Sequence, residues 1–257
     1  NSIIGLGSSF ISSNFFIKFF ITNLLRCTLF FKKSHVLVQN QDDYTFFKKK
    51  IWIRKKNLHL NTTSGIDIKK YHTSKEPKGK IIFLFASRIL KDKGVLELIN
   101  ASKKLGKITK KFELHIAGNV DSQNPSSVSH QEIKSWEALQ YIKYLGYVDN
   151  INDLYKKIHI SILPSYREGL PKGLLEAAAC GKPIITTDVA GCRDIVVNKK
   201  NGILVNPKNS DELFLAMKKM VQNKKIRLSM GKQGRSFVKK NFLLENTVKN
   251  LIHLYKN

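Results

Sequence analysis

Two glutamates, Glu168 and Glu176, stand with seven residues between them around the predicted start of a helix. Pro171 suits the first turn of that helix, where its missing N–H would have no helical partner, and Gly181 ends the run. The free backbone N–H groups among residues 169 to 173 would face one space and suit phosphate oxygens, while the carboxylates accept hydrogen bonds from sugar hydroxyls. The spacing suits a nucleotide-sugar, although a capped amphipathic helix with two solvated glutamates has the same pattern.

Three further loops place polar groups or glycine directly after predicted strands. Arg88 can bind phosphate oxygens through its fork of donors, and Lys93 supplies a point charge before a helix. Gly118 allows the backbone to approach a ligand closely. The loop after the third strand has backbone and polar groups suited to the edge of a base, and comprises Val148, Asp149 and Asn150.

Short apolar runs alternate with helical segments through the second half of the chain. We predict strands at 80–86, 112–117, 142–145, 158–163, 183–187 and 202–205, with helices at 94–105, 129–140, 151–157, 171–180 and 210–222. Continuous apolar strands separated by helices are typical of a doubly wound parallel sheet of the α/β class. Such sheets bind ligands at the carboxyl ends of their strands, which is where the four loops lie.

The region before this pattern is apolar and basic. Residues 10–31 predict a buried or interfacial helix; Lys18 and Arg26 interrupt the run, so we do not expect it to span a membrane. A strand at 34–39, a helix at 42–52, a strand at 57–60 and a turn at 62–67 are expected to follow. The polar segment 69–79 is predicted to be a linker, and residues 227–256 to form two helices broken near Asn241.

With these motifs in order, the sequence resembles the retaining glycosyltransferases of the GT-B fold, family 4, also called glycosyl transferases group 1. The resemblance runs from Thr62-Thr-Ser-Gly-Ile-Asp67 through Ala86-Ser-Arg88 to Gly181-Lys-Pro-Ile-Ile-Thr-Thr-Asp188. It implies that Arg88 and Lys93 hold the donor diphosphate and that Glu176 binds the ribose hydroxyls. It makes Glu168 the contact to the donor sugar and the candidate catalytic carboxylate. Donor binding is further expected near Gly118, at residues 148–150, and at Gly169, Leu170 and Pro171.

The same resemblance implies a reaction without metal or cofactor, in which a nucleotide-sugar, expected to be UDP-linked, is the substrate. The stretch 118–127 is similar to bacterial enzymes that add hexose or N-acetylhexosamine to undecaprenyl-diphosphate-linked sugars. Family members have a full N-terminal Rossmann-like domain, so we expect this chain to be an N-terminally truncated fragment. We predict a remnant of that acceptor domain at 1–70, a linker at 71–79, the donor domain at 80–236 and a helix crossing back at 237–257.

Composition leaves several functions open. The net charge of +26 over 257 residues would attract nucleic acid, an anionic membrane or phosphorylated substrates, or it reflects base composition alone. The lysines are dispersed and no nucleic-acid-binding motif is present, so we expect no nucleic acid partner. Three cysteines without metal-ligand spacing predict a reducing, cytoplasmic location, peripheral on the inner face of the plasma membrane if residues 10–31 and 48–56 meet lipid. A nucleotide-sugar-binding fragment without turnover is the alternative to an active transferase.

Overall fold

The computed structural model describes residues 2–3, 14–29, 35–60 and 65–256. Parts of three predictions lie outside these residues: the ends of the apolar helix at 10–13 and 30–31, the start of the strand at residue 34, and the turn at 62–64. Contacts divide the chain into two compact units, Asn1–Gly65 with Leu244–Asn257, and Ile66–Leu243. The larger unit carries the predicted donor-binding loops.

The larger unit is built on a six-stranded, fully parallel sheet. Its strands are β4 (Ile81–Ala86), β5 (Phe112–Ala117), β6 (Ile142–Gly146), β7 (Ile160–Leu163), β8 (Ile184–Thr187) and β9 (Gly202–Val205). The spatial order is β6-β5-β4-β7-β8-β9, so the direction of winding reverses between β4 and β7. The predicted doubly wound α/β sheet is therefore confirmed, and the reversal point is where such sheets bind ligands.

Helices connect these strands. They are α3 (Val95–Ile108), α4 (His130–Glu137), α5 (Ile151–Lys157), α6 (Lys172–Ala179), α7 (Cys192–Ile195), α8 (Ser210–Gln222) and α9 (Lys224–Asn241). α3 packs against α8, and α6 packs against α9. The predicted helices agree with these bounds to within three residues. The exception is α7, a single turn that the sequence did not predict because its four residues are too short for a helical period.

Burial explains why the central strands were recognisable. Every residue of β7 and β8 is buried, as expected for strands covered on both faces. The large core includes Phe83, Leu114 and Leu175, and α6 contributes most of its residues to it. Residues 174–179 of α6 are buried, and this packing holds the helix, with Glu176 on it, against the sheet.

The smaller unit has a three-stranded parallel sheet of β1 (Ser2–Ile3), β2 (Val36–Val38) and β3 (Leu58–Leu60). α1 spans Phe15–Leu29, α2 spans Gln41–Phe46, and α10 spans Leu244–Lys256. The predicted single helix at 42–52 was wrong in its second half, where Phe47–Ile51 forms a π-helix that ends at Trp52 in the left-handed region. Phe47 and Ile51 are buried in one cluster with Val36 and Val38 of β2 and Leu58 of β3.

The segment predicted as a linker is packed on the larger unit. Glu76 accepts from Arg227 Nε at 2.7 Å, and Ser74 Oγ accepts from Lys182 Nζ at 3.1 Å. Among the described residues, none of the helices combines the length and the hydrophobicity that a membrane span requires. Along the chain, the two compact units meet after Gly65 and after Leu243, several residues from the domain boundaries predicted at 70–80 and 236. Residues 66–79 belong to the larger unit, with the sheet on which they pack.

Candidate functional site

A cleft of about 330 Å³ opens at the carboxyl ends of β4, β5 and β6 in the larger unit. It lies where the loops following these strands meet the first turns of α5 and α6. The structure brings together four of the predicted site residues there, namely Arg88, Gly118, Val148 and Glu176. The remaining lining residues are Ala86, Ser87, Ala117, Asn119, Tyr147, Ile151, Tyr155 and Gly173.

Gly118 determines the shape of the cleft floor. Its φ of +142° is strained for any residue with a side chain, and a Cβ placed there would lie 1.9 Å from the carbonyl oxygen of Ser87. Its amide donates to the Gly146 carbonyl at 2.7 Å, and its carbonyl accepts from Tyr144 Oη at 3.0 Å. Only glycine allows the ends of β4 and β5 to come this close.

Glu176 lies on α6 with its carboxylate in the cleft wall and is 8% exposed. Its Oε1 accepts a hydrogen bond from Tyr71 Oη at 2.8 Å, and Lys172 Nζ lies 3.6 Å from the same oxygen. Burial, together with the hydrogen bond to Glu176, raises the pKa of Tyr71. Tyr155 is also buried; burial and the nearby Glu176 charge raise its pKa well above the ordinary value, and it donates to the Gly173 carbonyl at 2.8 Å. Both phenols are therefore protonated donors at neutral pH.

Lys93 and Glu168 are paired with each other. Lys93 Nζ lies 2.7 Å from Glu168 Oε1, and the two side chains are 17% and 11% exposed. Gly94 makes this approach possible, because its φ is +73° and a Cβ there would lie 2.0 Å from the Pro164 carbonyl. The loop after β4 thus packs directly on the loop after β7. Neither charged residue is among those lining the cleft.

Arg88 is exposed at the cleft mouth. Its Nη1 lies 3.5 Å from Asp121 Oδ2, and its side chain is 61% exposed. An exposed ion pair of this kind contributes about 0–1 kcal/mol, so the guanidinium can exchange its partner at little cost. An anion in the cleft would be a competing partner.

The remaining predicted site residues differ in burial and in the contacts they make. Leu170 and Pro171 are buried, and Pro171 is the N-cap of α6 instead of lying in its first turn. Asp149 is exposed; Asn150 caps α5, since its side chain accepts from the Asp153 amide and donates to Asp153 Oδ2. The capping bond fixes the position of Asn150, and its contact with a base stays a prediction. Gly169 is in the loop that carries Glu168.

Sequence reasoning missed the cleft tyrosines. Tyr147 and Tyr155 line the cleft, and the hydroxyl of Tyr71 donates a hydrogen bond to Glu176. Tyr155 gave a weak signal as an apolar position in a short helix. Tyr71 gave none, because it lies in a polar segment 105 residues before its partner. In the described part of the chain there is no group of three or more His, Cys, Asp or Glu side chains that could hold a metal ion.

Comparison with known proteins identifies the class. The family model of glycosyl transferases group 1 matches residues 67–237, which is most of the larger unit. The chain therefore belongs to this family, and the resemblance seen in the sequence is confirmed.

Individual relatives agree with this assignment. The chain is 29% identical over 246 residues to the N,N'-diacetylbacillosaminyl-diphospho-undecaprenol alpha-1,3-N-acetylgalactosaminyltransferase of Campylobacter jejuni, covering 90% of this chain and 63% of that protein. Two solved structures share the fold. Sucrose-phosphate synthase from Thermosynechococcus elongatus has a TM-score of 0.80 at 21% identity, with 98% of this chain and 63% of that chain covered. Anabaena Alr3699/HepE in complex with UDP has a TM-score of 0.81 at 20% identity, with 93% and 69% covered.

The predicted GT-B-type α/β fold is thereby confirmed. The chain spans less than two thirds of the length of the Campylobacter relative.

Proposed function

We propose that this chain forms the donor-binding part of a retaining glycosyltransferase. It would move a hexosyl or N-acetylhexosaminyl group from a UDP-sugar to a lipid-linked or glycan acceptor. The name of the Campylobacter relative describes transfer of N-acetylgalactosamine to a diphospho-undecaprenol-linked sugar, and the Anabaena neighbour was solved with UDP. Both support a nucleotide-sugar donor here.

The observation that carries the proposal is the convergence of Arg88, Glu176 and the first turn of α6 on one cleft. A guanidinium and a helix N-terminus suit a diphosphate, and a buried carboxylate suits the vicinal hydroxyls of ribose. The cleft also lies at the reversal of winding in the sheet. The cleft thus offers groups for two parts of a nucleoside diphosphate, its diphosphate and its ribose.

In the proposed reaction the bond between the anomeric carbon and the diphosphate oxygen breaks. Arg88 would stabilise the charge that develops on the departing diphosphate. The acceptor hydroxyl would bond to the same face of that carbon while its proton passes to a phosphate oxygen, so configuration is retained. Glu168 would hold the donor sugar, and Lys93 would turn from Glu168 towards the phosphate when donor enters.

Calorimetric titration tests the donor assignment. We expect UDP and UDP-hexoses to bind more tightly than ATP or NAD, because the cleft must satisfy a base edge as well as phosphates. Equal affinity for all these nucleotides would contradict the proposal, as would failure to bind UDP. Matched titrations with EDTA present would test the expectation that binding needs no metal.

We also propose that the smaller unit meets an anionic membrane on the cytoplasmic side, where lipid-linked acceptors are found. Four phenylalanines of α1, at positions 15, 16, 19 and 20, are exposed, Phe16 by 81%. Beside α1, Lys48, Lys49 and Lys50 are exposed on the π-helix, and Arg26 stacks on the exposed ring of Trp52 at 4.3 Å. Exposed aromatic rings next to basic side chains suit the interface of an anionic bilayer.

A further inference from the structure

The segment 69–79 supports the cleft through one side chain. Tyr71 is 8% exposed, and its hydroxyl donates to Glu176 Oε1 at 2.8 Å. Lys172 Nζ lies 3.6 Å from the same oxygen. Glu176 lines the cleft, so among the described residues Oε2 is the oxygen left for a ligand.

Tyr71 is itself fixed to the helix that carries Glu176. Arg235 Nη1, on α9, donates to the Tyr71 carbonyl at 2.7 Å. The same nitrogen donates to the carbonyl of Ala179 at the end of α6. The guanidinium of Arg235 therefore links the backbone at Tyr71 to the end of α6. This link fixes the position of the Tyr71 ring relative to the carboxylate of Glu176.

From this geometry we infer that Tyr71 is a positioning residue for nucleotide ribose. Its hydroxyl holds Oε1 of Glu176 so that Oε2 faces the two ribose hydroxyls. A glutamate side chain loses considerable rotamer freedom when it is ordered on binding, and a fixed donor removes that cost beforehand. The inference rests on the proposed function, because it requires a nucleotide in the cleft.

The discriminating experiment compares UDP with 2′,3′-dideoxyuridine diphosphate, which lacks both ribose hydroxyls, by titration calorimetry on the full chain. Tyr71→Phe keeps the ring and removes only the donor. We expect it to weaken UDP about tenfold, as for one hydrogen bond to a charged group, and to leave the dideoxy nucleotide within about twofold. Adding Tyr71→Phe to Glu176→Gln should cause no further loss, because the two residues act on one contact.

Tyr141→Phe is the matched control, since Tyr141 precedes β6 at the end of the sheet opposite the cleft. It should leave both affinities unchanged. An equal loss of both nucleotides in Tyr71→Phe would show a merely structural role and overturn the inference, as would no loss of UDP. If the unaltered protein binds UDP more tightly than the dideoxy form, the proposed function stands even when the inference about Tyr71 fails. Failure to bind UDP at all would overturn both.

Discussion

Lys93 Nζ and Glu168 Oε1 lie 2.7 Å apart, although the two residues are separated by 75 positions in the chain. The cation proposed for phosphate and the carboxylate proposed for sugar thus form an ion pair with each other. Both side chains are largely buried, so leaving either one without a partner would be costly. Donor binding would replace one ion pair by two ligand contacts.

Glu168→Gln should distinguish the contact with the donor sugar from the contact with the diphosphate. UDP lacks the sugar, so its affinity should stay within about threefold or improve, because Lys93 is released from a charged partner. UDP-hexose should bind about tenfold more weakly, the effect of one charged hydrogen bond. Titration with both ligands on the same variant measures the difference. A uniform loss for UDP and UDP-hexose would contradict the assignment of Glu168 to the sugar.

Gly118→Ala should destabilise the larger unit by about 2–4 kcal/mol, because the new Cβ would meet the Ser87 carbonyl at a strained φ. Gly146→Ala is the control. Gly146 also has a positive φ, but nothing lies within 4 Å of the Cβ it would gain, so a cost of about 1–2 kcal/mol is expected. Urea unfolding measures both, and equal losses would show that strain alone, without the clash, sets the cost.

These residues also show how far sequence alone could reach. Arg88 and Gly118 were predicted because each lies in a loop just after a strand, and Glu176 because it lies inside the helix that follows Glu168; local periodicity locates such positions. The pairing of Lys93 with Glu168 could not be predicted, since it depends on how two loops pack in three dimensions. The contact of Tyr71 with Glu176 could not be predicted for the same reason, and the sequence of Phe47–Ile51 gave no sign that this segment forms a π-helix instead of an α-helix.

Glu113 should contribute stability that depends on pH. Burial opposes its ionisation, but hydrogen bonds from Lys143, His115 and Lys80 outweigh burial and lower the pKa of Glu113 to about 2. Because the pKa is depressed on folding, this stability is present above the ordinary pKa of 4.5 and is lost as pH falls towards 2.

Glu113→Gln should therefore lower the free energy of unfolding by about 1 kcal/mol at pH 7, since its lysine partners are exposed to solvent. The difference from the unaltered protein should shrink between pH 4.5 and pH 2. Urea titrations at pH 7, 5 and 3.5 provide the comparison. A difference that is constant across these pH values would mean that the charge of Glu113 is not what stabilises the fold.

Membrane attachment should depend on the exposed rings of α1. Phe16 and Phe20 are 81% and 69% exposed, and each would gain about 1.5–3 kcal/mol if fully buried in lipid. Replacing both by serine should reduce sedimentation with anionic vesicles at least tenfold. Replacing Leu215 and Leu228, exposed residues of the larger unit, by serine is the matched control and should change nothing.

The basic residues should supply the salt-dependent part of the same attachment. Changing Lys48, Lys49 and Lys50 to glutamine removes three exposed charges beside α1, each worth about 1 kcal/mol at an anionic surface. Binding of the unaltered protein should fall as salt rises, because the Debye length shortens from about 10 Å at 0.1 M to about 3 Å at 1 M, and binding of the glutamine variant should be weaker at low salt and fall less steeply. Equal binding of both proteins to anionic and neutral vesicles would remove the membrane proposal. The donor site, which lies wholly within the other unit, would be unaffected by that outcome.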